Sequence, residues 1–169
     1  MVKKKALSTE VTEKIIGRLR EKELLRDLVE SNKSEFIAVY GRRRVGKTYL
    51  IKNLMSSFQC VFFHVTGLQK GSSKDQLKEF AKQIGKTFYQ SPSIVPQKQW
   101  GDAFEDLTDA INEIPKEKTV VLFFDEFPWM ATPRSGLLEA INYYWNQYWS
   151  TNPRIILIIC GSSASWLIK

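Results

Sequence analysis

The segment Gly41-Arg42-Arg43-Arg44-Val45-Gly46-Lys47-Thr48 fits the pattern G-x-x-x-x-G-K-[ST] at every fixed position. It follows an apolar run, Phe36-Ile37-Ala38-Val39-Tyr40, and precedes Tyr49-Leu50-Ile51-Lys52-Asn53-Leu54, which reads as a helix. Strand, glycine-bounded loop and helix in that order define a loop built around phosphate. Gly41 and Gly46 lack a Cβ, so the loop can curl and turn its backbone N–H groups onto phosphate oxygens. The helix behind it adds unpaired N–H groups and the positive end of its dipole. In this pattern Lys47 reaches the β- and γ-phosphates and the Thr48 hydroxyl ligates Mg²⁺. Arg42, Arg43, Arg44, Val45 and the first residue of the helix, Tyr49, complete the expected contacts. The alternative is a basic turn ahead of an ordinary helix. The flanking strand and helix weigh against it, and the implied ligand is a nucleoside triphosphate.

A second segment supplies the complementary chemistry. Thr119-Val120-Val121-Leu122-Phe123-Phe124 is continuously apolar and runs into Asp125-Glu126. Apolarity on both faces marks a strand inside a parallel sheet, and the carboxyl ends of such strands are where open α/β sheets bind ligands. Asp125 is the expected carboxylate on the Mg²⁺ side, acting directly or through water. Glu126 is the candidate base for the attacking water, with a plain surface carboxylate as its alternative. A further apolar run, Arg154 to Cys160, ends in Gly161-Ser162-Ser163. A small polar residue there points into the same crevice if the two strands are neighbours, which makes Ser162 the first candidate and Ser163 the second for contact with the γ-phosphate or the water. A cap on a following helix, Ala164 to Lys169, is the competing reading.

Along the chain, strands and helices alternate. Helical spacing is expected over Glu21–Ser31 with a stripe of Leu24, Leu25, Leu28 and Val29, over Ser72–Gly85 behind a cap at Ser72 or Ser73, over Trp100–Ile114, and over Gly136–Trp149. In the last of these Leu138, Ile141, Trp145 and Trp149 share one side. A second buried strand is expected over Cys60–Thr66, closed by Gly67. Thr87–Gln97 and the stretch holding Pro128 and Pro133 read as loops. In the latter, Trp129 and Met130 are candidates for contact with a partner, because apolar residues in a loop beside a ligand site often mark one. Alternation of this kind implies α/β: a three-layer αβα sandwich on a parallel sheet.

With 169 residues the chain is expected to hold one domain, residues 16–169, behind a tail of residues 1–15. Its net charge of +7 invites a nucleic-acid reading. Because the lysines are scattered and the arginine triplet sits inside the phosphate loop, a solvated basic surface is the favoured account. Cys60 and Cys160 show no metal or redox spacing and read as small core residues of a reduced, cytoplasmic protein. His64 reads as a packed strand residue. The first ten residues lack the apolar stretch of a signal peptide, no apolar run approaches the ~20 residues of a membrane span, and no membrane partner is expected.

Taken together, Gly17-Arg18-x-x-Glu21, Tyr40 through Thr48, Phe124-Asp125-Glu126-Phe127-Pro128-Trp129 and Cys160-Gly161-Ser162-Ser163 resemble the archaeal/bacterial ATPase family, of the STAND branch of AAA+-type P-loop ATPases. The resemblance runs from about Ile16 to Trp166. It implies an ATP-driven switch, with ATP or ADP and Mg²⁺ as ligands, whose nucleotide domain is followed by a helical lid and a winged helix. It also makes Ile16, Gly17 and Arg18 candidates for contact with the base and ribose. The order of strands in space should be fifth, first, fourth, third, second. Only four are present, so the chain is expected to be the nucleotide-binding part of a longer protein, cut off after the fourth core strand. In that case the phosphate-loop strand lies on an open edge, unless a protein partner or a second copy covers it. Arg134 and Arg154 are the available arginines for charge stabilisation. The functional expectation is Mg²⁺-dependent ATP binding with hydrolysis. The alternatives are a regulatory module that holds nucleotide without turnover and, through the domains not present here, a DNA-associated protein.

Overall fold

In the computed structural model, residues 17–91 and 94–162 are described. The expectations for Ile16, for Ser163 and for the helix after it therefore lie outside the described residues. The elements are α1 (Leu19–Glu30), β1 (Glu35–Tyr40), α2 (Lys47–Met55), β2 (Val61–Thr66), α3 (Ser73–Phe88), α4 (Trp100–Asn112), β3 (Val120–Asp125), α5 (Phe127–Met130), α6 (Leu137–Tyr144), a π-helical turn (Trp145–Trp149) and β4 (Ile155–Gly161).

The four strands form one parallel sheet in the order β1-β4-β3-β2. β3 and β4 are buried along their whole length, as their unbroken apolar sequences require of inner strands. Their side chains alternate between two cores. Val120, Leu122 and Phe124 join Phe63, Phe80, Trp100, Phe104 and Trp149 beneath α3, α4 and α6. Val121 and Phe123 join Leu25, Leu50, Ile51, Leu54 and Met55 beneath α1 and α2. Helices on both faces of a parallel sheet give the expected three layers. The first core is held largely by aromatic edges on faces, with Phe104 set against Phe80, Phe124, Tyr144 and Trp149 at ring separations of 5.4–6.0 Å.

Register then decides where chemistry can sit. Tyr40 lies opposite Gly161, Thr66 opposite Asp125, and Phe124 opposite Ile159, so all four strands end on one rim.

Several local expectations are corrected. β2 is an edge strand, half-buried in alternation rather than buried throughout, and Cys60 lies just before it. Leu24 is 54% exposed, because only Leu25 of that stripe reaches the sheet fully. α3 runs on through Phe88, into the stretch expected to be loop. The stretch with Pro128 forms the short helix α5, where proline in the first turn loses no hydrogen bond. Leu138 is exposed, and the buried stripe of α6 is Leu137, Ile141 and Tyr144. The Ser150 N–H donates five residues back to the Trp145 carbonyl, and beyond α6 Trp149 lies in the core as expected while Trp145 only packs against it.

Candidate functional site

The phosphate-loop residues leave β1 at the rim and turn straight into α2. Gly46 sits at φ 82°, a left-handed conformation that L side chains adopt at a cost, and its carbonyl accepts the first α2 bond from Leu50 N–H. Arg42 to Gly46 are exposed. The Lys47 ammonium points back into the curl and donates to the carbonyls of Gly41 at 2.8 Å and Arg42 at 3.0 Å. Arg44 also has positive φ, and Arg43 lies over the Trp129 ring, 5.5 Å from its centroid.

One residue on, the Thr48 hydroxyl lies 3.0 Å and 2.9 Å from the two Asp125 carboxylate oxygens. These side chains are 77 positions apart in sequence, joined because α2 starts beside β1 and β3 ends on the same rim. Asp125 is 5% exposed and also accepts from the Glu126 N–H at 3.1 Å. A hydroxyl and a carboxylate are the hard oxygen donors that Mg²⁺ takes. Among the described residues no three acidic, histidine or cysteine side chains converge into a cage. Mg²⁺ is commonly held instead by one or two side chains together with substrate phosphates, so the donor set fits that ion.

Glu126 follows at φ 46° and opens α5. Its Oε2 is buried without a hydrogen-bond partner, an arrangement that costs free energy unless something polar arrives. The turn after β2 packs directly on it: a Cβ at Gly67 would stand 2.6 Å from the Glu126 carbonyl. Gln76, 3% exposed on α3, bonds both backbone groups of Leu68 and donates to the Trp129 carbonyl at 3.3 Å, tying this turn to α5.

Ser162 follows Gly161 directly at the rim and is half-buried; since β4 lies between β1 and β3, the two strands are neighbours as its candidacy requires. Gly17 and Arg18 both have positive φ, and the Arg18 guanidinium donates to the Val45 carbonyl, holding the start of α1 against the phosphate loop. Behind that contact opens a cavity of about 640 Å³ whose lining includes Arg18, Glu21, Leu24, Tyr40, Val45 and Lys47. Its apolar wall accounts for the exposure of Leu24 and Tyr40. Tyr49, in the first turn of α2, is 51% exposed.

Two expectations fail. Arg154 lies at the start of β4, where its guanidinium caps α4 by donating to the carbonyls of Ile111 at 2.7 Å, Ile114 at 2.8 Å and Pro115 at 3.1 Å. A strand of that length spans ~20 Å, so it cannot serve the rim. Met130 is 1% exposed and part of the core, so it offers no surface to a partner, while Trp129 is half-buried beneath Arg43. Arg134 is exposed in the turn before α6.

Sequence reasoning missed His64, Gln76 and the proximity of Cys160. The His64 Nε2 stands 4.0 Å from Asp125 Oδ2 and 3.1 Å from the Thr66 hydroxyl, its ring stacked on Phe123. Burial, helped by Lys52 and opposed by Asp125, holds its pKa below the usual histidine value. Burial, with Asp125 beside it, pushes the Cys160 thiol up to about 12. The register of parallel strands brings these groups together, and no local pattern announces it.

A parallel sheet ordered β1-β4-β3-β2 between helical layers, with the glycine loop and the Asp125 rim side by side, is the three-layer α/β fold of P-loop NTPases. The chain belongs to the family of ATPase domains found predominantly in Archaea, which it matches over residues 16–169. It is 32% identical over 152 residues to an uncharacterized protein of Methanocaldococcus jannaschii, covering 88% of this chain and 30% of that one. The fold is similar to that of the Drosophila origin recognition complex bound to DNA, at 14% identity and TM-score 0.63, covering all of this chain and 42% of that one. It is also similar to a Walker-type ATPase of Pyrococcus abyssi, at 18% identity and TM-score 0.58 over 92% of this chain and 47% of that one. The ORC2 protein of Aeropyrum pernix, solved as ADPNP and ADP complexes, matches at 19% identity and TM-score 0.60 over 91% and 43%. The chain thus spans about a third of the curated relative and less than half of these solved chains.

Proposed function

We propose that this domain binds ATP with Mg²⁺ and hydrolyses it, serving as the nucleotide-sensing part of a STAND-type switch. The observation that carries the reading is the pair of contacts from the Thr48 hydroxyl to both Asp125 oxygens. These are the two side chains that the motifs assign to one cation, and the fold sets them side by side. Thr48 and Asp125 would hold magnesium, which would supply electrostatic stabilisation of the charge developing on the phosphates.

The remaining roles fall to the chain itself. Lys47 exchanges the carbonyls of Gly41 and Arg42 for phosphate oxygens, and the exposed amides of residues 42–46 cradle the tail. The unpartnered Oε2 of Glu126 accepts a proton from the attacking water and orients it. Ser162 donates to the γ-phosphate or to that water from the neighbouring strand. The cavity behind Arg18 takes the base and ribose. In the longer protein a lid and winged helix would read the nucleotide state, and any DNA contact by that route belongs to them.

The test pairs two variants. Lys47→Ala should abolish nucleotide binding measured by calorimetry. Glu126→Gln should keep ATP affinity within about threefold while cutting turnover by ~10²-fold or more, in the range expected for loss of a general base. ATP affinity unchanged in Lys47→Ala would remove the site. Binding without turnover in both the parent and Glu126→Gln would make the domain a non-hydrolysing sensor.

A further inference from the structure

The lysines of α3 are not scattered. Lys74, Lys78, Lys82 and Lys86 recur every fourth residue, all are exposed, and Lys70 precedes them in the turn before the helix. At 3.6 residues per turn and ~1.5 Å rise, they form one slowly drifting row ~18 Å long. Like charges at this spacing repel and weaken a helix, and only Lys82 has a salt bridge, to Glu79 at 3.5 Å, among the described residues. The other nearby carboxylate, Asp75, is spent on the Ser72 cap, and Lys78 and Lys74 help to hold it below its usual range.

The neighbouring helix carries the opposite sign. Asp102, Glu105, Asp106, Asp109 and Glu113 line α4 and the residue after it, and no lysine or arginine occurs among residues 100–113. These acids do not neutralise the row. Phe80 marks the flank of α3 that meets α4, its ring 5.2 Å from Trp100 and 5.5 Å from Phe104. At ~100° per residue the four lysines lie at least ~120° around the helix from Phe80. They face away from α4, past β2, which is the edge strand. From the other face of the sheet Lys52 adds to the positive potential at this edge, where it helps to hold down the pKa of His64 on β2.

We propose that the lysine row of α3 is a docking surface for the phosphate backbone of double-stranded nucleic acid. Four lysines over ~18 Å can meet about three to four phosphates of a duplex, whose axis carries one charge per ~3.4 Å on each strand. Within Ser73–Phe88 no large apolar side chain is exposed. Leu68 and Tyr89, at 39% and 42% exposed, flank the two ends of the row, so its length offers no apolar face to a bilayer and no series of rings on which successive unpaired bases could stack. Binding is through charge alone and does not depend on base sequence. It is independent of the nucleotide site, and Lys47→Ala should leave it intact.

The experiment is a salt titration of duplex affinity, by fluorescence anisotropy with the full chain and a labelled random-sequence duplex. The comparison is between two variants of equal net charge. One replaces Lys74, Lys78, Lys82 and Lys86 with Gln. The other replaces Lys33, Lys98, Lys116 and Lys118, which are exposed elsewhere. Glutamine and lysine have similar helix propensity, and circular dichroism checks that both variants fold. The row variant should bind at least ~30-fold more weakly at low salt, with a slope of log K against log salt shallower by about three to four, since each neutralised phosphate contributes about −0.9. The control variant should lose no more than about threefold. Paired variants at Lys74 with Lys78, and at Lys82 with Lys86, should each remove about half of the slope. Equal losses in row and control variants would make the effect one of bulk charge and overturn the proposal. So would a parent chain without salt-dependent duplex binding, tighter binding to a single strand, or stronger binding to vesicles of anionic phospholipid.

Discussion

Glu126 is held in the left-handed region at φ 46°, with one carboxylate oxygen buried and unpartnered. Both features cost free energy, and neither is relieved by a contact within the described residues. Strain of this kind gathers where a chain must aim a group rather than merely bury it. The opposite situation holds for two thiols that burial keeps neutral, Cys160 near the same rim and Cys60 at the other end of the sheet, just before β2. The pKa of Cys60 is raised to about 11 and that of Cys160 to about 12, burial being the main cause in both. The thiolate is the reactive form, and at pH 8 a thiol with pKa 12 is ionised to only about one part in ten thousand. Iodoacetamide at pH 8 should therefore leave both cysteines of the native chain largely unmodified while alkylating both in urea, as read by intact mass. Rapid labelling of native Cys160 would contradict its burial. The sign of the linked stability follows. Because the folded pKa values lie above the unfolded value near 9, the neutral thiols favour the fold below pH 9. That contribution is lost as pH rises from 9 toward 11–12.

Among the elements, α3 is the one whose start the sequence announces most clearly, although it runs three residues past the expected end at Gly85. Ser72 accepts from the Asp75 N–H, and the Asp75 side chain accepts in turn from the Ser72 N–H, a reciprocal cap visible in the spacing of the two residues. Ser72→Ala should cost ~1 kcal/mol and lower the melting temperature by ~2–4 °C in a chain of this size. Thermal denaturation checks this, and no measurable shift would mean that the cap is not formed in solution. The lysine spacing on the same helix was equally open to inspection. It passes for scatter when charges are read as runs, and becomes a row only when they are read against the helical period. Other features were not legible. The expected stripe of Leu138, Ile141, Trp145 and Trp149 holds at Ile141 and Trp149, but Leu137 and Tyr144 are buried in place of Leu138 and Trp145, and a π-turn is inserted after Tyr144. Nothing in a window of residues signals that insertion, since it answers to Trp149, whose indole N–H reaches Thr108 on α4 at 3.1 Å. The site divides in the same way. Lys47, Thr48 and Asp125 are legible because backbone geometry fixes motif spacing. His64, Gln76 and Cys160 join them only through strand order and register.

At the scale of the whole molecule, the sheet has two unlike edges. β2 passes beneath α3 and its lysines, charges of the kind that discourage another strand from pairing. Among the described residues β1 has no such guard. It pairs, among the described residues, with β4 on one side only, Phe36 and Tyr40 on its face are 42% and 62% exposed, and the lining of the cavity behind Arg18 includes Ile37, Ala38 and Val39. Phe36 is partly sheltered by Trp145, 5.2 Å away, but the backbone beyond it presents donors and acceptors to any chain that approaches. An apolar, unprotected edge of this sort is a template for strand addition. The chain should therefore associate with itself as its concentration rises, seen in sedimentation velocity as a growing weight-average mass. Ala38→Lys, which sets a charge in the middle of the exposed face of β1, should shift the chain toward monomer without loss of helical signal. If the parent chain stays monomeric at high concentration, or if Ala38→Lys associates just as readily, the β1 edge is not the adhesive surface. The docking row on α3 and the open edge of β1 would then be separable, because they lie at opposite ends of the strand order.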